Sequence, residues 1–292
     1  MWTLIDEEIS RALGETFTTL HRRSLGGGCI NEAFHLEGRS RSLFVKLNSA
    51  ARLAMFTAEA AGLEAIRASK ALRAPRPIAW GTAGQRSWLA LEFIPFSASG
   101  HRGGALLGEQ LAAMHRSSAQ AFGWERNNTI GATPQPNPWT ADWAGFFRDQ
   151  RLGYQLRLAR ENGLPEGSLE RLQRLLEVVP VLLKNHRPIP SLLHGDLWGG
   201  NWGVASDGRP VVFDPAVYYG DREAELAMTE LFGGFDSDFY QAYRHAWPPE
   251  PGYQTRKDLY NLYHILNHFN LFGAGYASQA AALAEQLLSE TR

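Results

Sequence analysis

The sequence predicts an α+β chain in two parts, a small strand-rich part over residues 1–92 and a larger, mainly helical part over 93–292. Three observations carry that prediction. Short buried-strand runs, "SLFVKLN" and "SWLALEFIP", cluster before residue 96, the second halted by Pro95. Beyond residue 104 apolar residues recur at helical spacing over long stretches. The chain has 292 residues, 44% of them hydrophobic, enough for one large domain or two modest ones.

The elements follow in order. Residues 3–20 read as an amphipathic helix, with Leu4, Ile5, Ile9, Leu13 and Phe17 on one stripe. "SLGGGCINEAFHLEG" joins a glycine-rich turn to a strand, and "SLFVKLN" (42–48) is a buried strand. Residues 54–69 carry strong helix formers, with Phe56, Leu63 and Ile66 as the apolar face. "APRPIAWG" reads as a proline-punctuated connection, and residues 87–95 as a second buried strand. Helices are expected over 104–118, 139–163 and 168–185, and again in the last third. The stretch 123–138 is a long irregular loop, and loops of that length are functional or mobile. "WGVA" (202–205) and "PVVFD" (210–214) are short strands around the turn "SDGR". There are no internal repeats.

Composition narrows the function. The formal net charge is −1, which gives no support to a nucleic-acid or membrane-surface partner held by bulk charge. The single cysteine, Cys29, permits no intramolecular disulfide. The acidic start lacks the features of a signal peptide, and no apolar run reaches transmembrane length, so a cytoplasmic location is expected.

Three pieces interlock by spacing. The first is His194-Gly195-Asp196 in "LLHGDLWGGNWG", with Asn201 five residues after the acid. The second is Asp214, at the end of the apolar strand "VVF". The third is Lys46 in "FVKL", with Glu59 thirteen residues on and Gly26, Gly27 and Gly28 upstream. Phosphoryl transfer from ATP needs such parts. A cation must reach the triphosphate: Lys46 can, with Glu59 holding its ammonium. A glycine turn lets backbone N–H groups approach phosphates. Mg2+ favours carboxylate and amide oxygens, which Asp214 and Asn201 supply. A separate carboxylate, Asp196, is placed to take the proton of an acceptor hydroxyl. The His-x-Asp-x4-Asn spacing matches the catalytic loop of the protein-kinase signature set. The chain holds only four lysines among its 29 Lys and Arg, so a lysine inside an apolar strand stands out.

"GGGCIN", "FVKLN", "MFTAEAAGLEAI", "HGDLWGGNWG", "DPAVYYGDREAELAMTELFGGF" and "LYHILNHFNLFGAGY" together resemble the fructosamine kinase, or ketosamine kinase, family. The tryptophan after "HGDL" is the sharpest mark. Gly199 departs from the serine usual there, and Asn31 lies near the third glycine of the protein-kinase loop, as in the family. The resemblance implies a two-lobed protein-kinase-like fold, with a small antiparallel-sheet lobe and ATP between the lobes. It implies transfer of the γ-phosphate to the O3 hydroxyl of a ketosamine, such as a fructosamine or ribulosamine, free or protein-bound, in a deglycation role. Carried over, Asp196 is the base, Asn201 and Asp214 hold Mg2+, and Lys46 and Glu59 form the phosphate-binding pair. Glu92, Phe93 and Ile94 form the hinge that meets adenine. A homodimer is left open.

Other residues carry weighed alternatives. Trp198 stacks on the acceptor sugar or packs the loop; Trp202 reads as packing. Asp221, with Glu223 and Glu225, either draws a protonated amine of the substrate or starts a helix. His264 and His268 share a helix face without a third metal ligand, so a cleft-lining or core role is expected, with His268 toward substrate. His194 braces its loop. Cys29 is a candidate redox switch. Two rivals are a small-molecule kinase of the aminoglycoside or choline type and a non-catalytic nucleotide-binding module. No G-x-S-x-G and no G-K-[ST] is present.

Overall fold

The computed structural model describes residues 1–26, 30–97 and 103–291. The chain opens with α1 (Trp2–Leu13), shorter than the helix expected over 3–20. Gly14 adopts φ 69°, a left-handed conformation that ends helices at little cost. Ile5 and Ile9, one helical turn apart, are fully buried, whereas Leu4 faces solvent. Phe17 also reaches the core, but from the connection after the helix.

Five strands then form one antiparallel sheet: β1 (His21–Leu25), β2 (Glu32–Glu37), β3 (Ser42–Ser49), β4 (Pro77–Ala83) and β5 (Arg86–Glu92), in the order β1-β2-β3-β5-β4. Strand β4 occupies the stretch expected as a connection. It is an edge strand and starts on a proline, a place where the missing N–H costs no ladder bond. One sheet face, with Leu43, Val45, Leu47, Trp88 and Ala90, packs on Ile5 and Ile9. Between β3 and β4 lies α2 (Leu53–Ala68), which buries Phe56, Leu63 and Ile66.

The next part begins with α3 (Gly104–His115). The loop expected over 123–138 contains a hairpin, β6 (Asn128–Ile130) with β7 (Thr133–Gln135). It lacks an apolar alternation because buried amides order it: Asn128 Nδ2 donates to the Val217 carbonyl (2.8 Å), and Gln135 Nε2 donates to the Ala216 carbonyl (3.0 Å). Helix α4 (Trp143–Phe146) is capped by Asp142, which accepts from the Gly145 N–H. A wide π-type turn, Phe147–Gly153, leads into α5 (Tyr154–Glu161), and α6 (Glu166–Leu182) follows. Arg151 is fully buried there, its guanidinium 4.1 Å from the Tyr218 ring centre and donating to Asn137 Oδ1 (2.7 Å).

Four three-residue strands come next: β8 (Ser191–Leu193), β9 (Trp202–Val204), β10 (Pro210–Val212) and β11 (Tyr218–Gly220). β9 pairs with β10, and β8 with β11. The chain ends in α7 (Arg222–Leu231), α8 (Ser237–Ala246), α9 (Tyr253–Phe272) and α10 (Ala277–Ser289). Among the described residues no helix is long and apolar enough to cross a membrane.

The chain divides into two compact units: Met1–Gly103 with Trp202–Pro215, and Gly104–Asn201 with Ala216–Arg292. The division expected at residue 92 did not foresee that the β9–β10 hairpin counts with the first unit. The reason is local. Phe96 bridges to Ala205, Arg73 bridges to Val211, and Ile94, Ala205 and Val211 form a small buried cluster.

Candidate active site

Within the first unit, Lys46 is the focus. Its strand places it opposite Ala33 on β2 and Leu89 on β5, and it is 4% exposed. The ammonium donates to Glu59 Oε1 on α2 and to Asp214 Oδ1 just past β10, both at 2.6 Å. Asp214 adopts φ 58°, a backbone state uncommon outside glycine that aims its side chain at Lys46. Burial alone would lower the Lys46 pKa, but the charges of Asp214 and Glu59 outweigh it and raise it well above its ordinary value. Burial lifts Glu59 above the usual carboxylate range, and Lys46 offsets part of the rise. The Asp214 side chain is 48% exposed, and its Oδ2 is not engaged by Lys46.

Gly26 follows β1 and is exposed; Gly27, Gly28 and Cys29 lie outside the described residues. Asn48, two residues past Lys46, donates to the Ile30 carbonyl (3.1 Å) and to Asn31 Oδ1 (2.7 Å), tying the far side of the glycine turn to β3. The Glu92 carboxylate accepts from the Arg76 N–H (3.2 Å) and from Arg73 (3.5 Å). Phe93 stacks on His35 at 4.0 Å, and Ile94 is buried.

Within the second unit, β8 runs into the His194-Gly195-Asp196 turn. Gly195 has φ 85°, and a Cβ there would fall 2.1 Å from the Ala216 carbonyl oxygen. Both facts demand glycine. Gly195→Ala is expected to lower stability by about 2 kcal/mol or more and to depress turnover further than stability alone explains. Urea unfolding beside a rate assay checks this; an unshifted midpoint contradicts it.

Asp196, half-buried, donates its N–H to His194 Nδ1 (3.3 Å). Asn201 Nδ2 donates to the Asp196 carbonyl (2.8 Å) and to its Oδ2 (3.2 Å), so the base candidate and the amide share one turn. With Nδ2 committed to Asp196, Oδ1 is the Asn201 side-chain atom outside these contacts. His194 is fully buried, in keeping with a bracing role.

Sequence reasoning missed what holds this turn. Glu225, on α7, accepts the His194 N–H on Oε2 (2.8 Å) and the Gly195 N–H on Oε1 (2.6 Å). Its burial favours the neutral acid, but hydrogen bonds from His115 and the His194 backbone outweigh that and keep its pKa below the usual range. The signal available was an acid in the first turn of a helix, which reads equally as a favourable helix start.

Asp221 is the helix-start alternative realised. It is 1% exposed and caps α7 by accepting the Glu223 N–H; its Oδ2 also accepts from His186 (2.6 Å) and Tyr260 (2.5 Å). Burial opposes both charges of the His186–Asp221 pair, yet their contact raises the His186 pKa and lowers that of Asp221. With its oxygens so engaged, Asp221 is withdrawn as a substrate contact. His186, Asp221 and Glu223 lie close enough to suggest a metal site, but Arg256 Nε donates to Glu223 Oε2 (2.6 Å), and protons already occupy the cluster.

His264 and His268 do not converge on a cation. Burial pushes the His264 pKa down to about 3, and His268 Nδ1 bonds to the His264 carbonyl (2.8 Å). His268 is half-buried among Phe232, Phe272 and Tyr276. Trp198 is 41% exposed, two residues past the base candidate, and its ring lies over Gly200, where a Cβ would fall 2.3 Å from it. Trp202 is buried in β9.

The chain is similar along its whole length to several known proteins. The chain is 51% identical over 288 residues to a Synechocystis protein named as a probable ketoamine kinase, covering 98% of this chain and 97% of the other. It is 44% identical over 271 residues to the chloroplastic protein-ribulosamine 3-kinase of Arabidopsis thaliana, covering 91% and 82%. The crystal structure of a provisionally assigned fructosamine-3-kinase from Haemophilus somnus superposes with a TM-score of 0.91 at 32% identity, covering 99% of this chain and 98% of that one. The aminoglycoside phosphotransferase APH(4)-Ia shares the fold, at a TM-score of 0.66 and 14% identity over 99% of each chain. A model of the fructosamine kinase family matches residues 1–290. With that match running through the strand lysine, the His-Gly-Asp turn and the closing helices alike, the chain belongs to the fructosamine kinase family, on a two-part α+β protein-kinase-like fold.

Proposed function

We propose that the chain transfers the γ-phosphoryl group of ATP to the O3 hydroxyl of a ketosamine, a fructosamine or ribulosamine carried on a free or protein-bound amine, as a cytoplasmic deglycation step. The observation that carries this reading is the family match over residues 1–290, in a chain that keeps Lys46, Glu59, Asp196, Asn201 and Asp214. The chain is a kinase, a phosphotransferase acting on an alcohol group.

Each side chain has a task under this reading. Gly26, Gly27 and Gly28 allow backbone N–H groups near the phosphates, and the Glu92–Ile94 backbone receives adenine. Lys46, pinned by Glu59, offers its ammonium to phosphate oxygens. Asp214 and Asn201 would each offer a magnesium ion one hard donor, a carboxylate oxygen and an amide oxygen that stand outside the contacts described. Such an ion, when bound, neutralises charge on the transferring phosphoryl group. Asp196 accepts the O3 proton as the O3–phosphorus bond forms and the bond from the γ-phosphorus to the bridging oxygen breaks, releasing ADP. Trp198 offers an apolar face to the sugar.

Trp198→Ala is expected to raise the KM for the acceptor about fivefold with little change in that for ATP, the size of one aromatic contact near 1 kcal/mol. Initial rates at saturating ATP decide it; an unchanged acceptor KM contradicts it. The function itself is tested by ADP release across ribulosyl-lysine, fructosyl-lysine, an aminoglycoside and choline. Turnover of the two ketosamines supports the proposal. Turnover of the aminoglycoside or choline alone, or nucleotide binding with no turnover, overturns it.

A further inference from the structure

Behind the Asp196 turn runs a line of buried polar side chains that the chemistry above does not use. His115, the last residue of α3, is 0% exposed. Its Nε2 lies 3.0 Å from Glu225 Oε2 and its Nδ1 2.7 Å from the Tyr243 hydroxyl on α8. Arg222 Nη1 lies 3.4 Å from that same hydroxyl. Helix α3 comes close enough for these contacts because Gly108 has no side chain: a Cβ there would fall 2.4 Å from the Phe239 carbonyl oxygen.

One assignment of donors and acceptors satisfies every group along this line. A guanidinium only donates, so the Tyr243 hydroxyl accepts from Arg222 and gives its own proton to His115 Nδ1. His115 then carries its proton on Nε2 and donates to Glu225. Burial raises the Tyr243 pKa, so the hydroxyl keeps its proton. Glu225 is left with three donors: the Gly195 N–H on Oε1, and the His194 N–H and His115 on Oε2. The imidazole, anchored on a different helix from Glu225, adds to the two backbone N–H groups a third contact out of their turn.

We propose that His115 is a positioning residue for phosphoryl transfer: held in one tautomer by Tyr243, it fixes the Glu225 carboxylate and thereby the pitch of the turn that aims Asp196. The inference rests on Asp196 being the base. Its test compares His115→Asn, His115→Gln and wild type in the full chain. Asparagine reaches the Nδ1 position and loses Glu225, whereas glutamine reaches the Nε2 position and keeps the donor. With ATP and ribulosyl-lysine, His115→Asn is expected to lower kcat about 30-fold with both KM values little changed, and His115→Gln to recover most of that loss. Amide exchange in a peptide spanning 192–203 is expected to quicken in His115→Asn and not in His115→Gln. Unaltered kcat and exchange in His115→Asn overturn the proposal, as does equal loss in both variants in step with their unfolding midpoints. If wild type turns over no ketosamine, the functional reading fails, and the exchange comparison still decides whether His115 holds the turn.

Discussion

Asp196→Asn is expected to lower kcat at least about 100-fold while leaving the KM for ATP and the unfolding midpoint near those of wild type. Asparagine has the shape of aspartate but cannot take up a proton near neutral pH. The contacts that order the turn run mostly through backbone: the Asp196 N–H to His194, the Asp196 carbonyl from Asn201, and the His194 and Gly195 N–H groups to Glu225. The substitution therefore removes the proton acceptor and spares the scaffold. Steady-state kinetics and a urea melt measure both effects, and near-normal turnover removes Asp196 from the base role.

Lys46→Met is the second large effect, and it falls on stability as well as on rate. Glu59, with its side chain 10% exposed, loses its cation, and breaking a buried pair from one side costs about 3 kcal/mol or more. Nucleotide binding and turnover fall with it. The pH dependence has a definite sign. Wild-type Lys46 has a raised folded pKa, so its contribution is complete below the unfolded value near 10.4 and fades only as pH climbs through the folded one. Glu59 behaves oppositely. Burial already raises its pKa, and losing Lys46 removes what held it down. A carboxyl with a folded pKa above its unfolded value destabilises increasingly as pH rises past the unfolded value, and the cost disappears on acidification. The deficit of Lys46→Met relative to wild type is therefore expected to shrink between about pH 8 and about pH 5. Lys46→Met with Glu59→Gln is expected to regain stability but not activity. A deficit that stays constant with pH contradicts the ionised, unpaired Glu59.

The long apolar helices and the two central strands were legible because their side chains repeat at 3.6 or 2 residues over many positions. The Lys46, Glu59 and Asp214 set was legible because each sits in a context that constrains it: a lysine in an apolar strand, an acid on a helix, an acid ending a strand. The helix expected over 3–20 overran because Phe17 continues the stripe, while Gly14 ends the helix first. Strands of three residues, such as β8 and β11, are too short to show alternation. The β6–β7 hairpin is held by Asn128, Gln135 and Asn137, whose amides look like loop residues in sequence and are buried in the fold. Glu225 and His115 were illegible for a related reason. Each lies on a helix among apolar neighbours, and only the fold, bringing together residues 110 positions apart, shows that one donates to the other.

The most direct test of the central claim is the fate of the phosphorus atom. The purified chain is incubated with ATP, magnesium and ribulosyl-lysine, and the sugar product is read by phosphorus–proton correlation NMR. A phosphorus signal coupled to the proton on C3, absent with Asp196→Asn, is the expected result. A phosphate on another hydroxyl, or ATP consumed with no phosphorylated sugar, contradicts it.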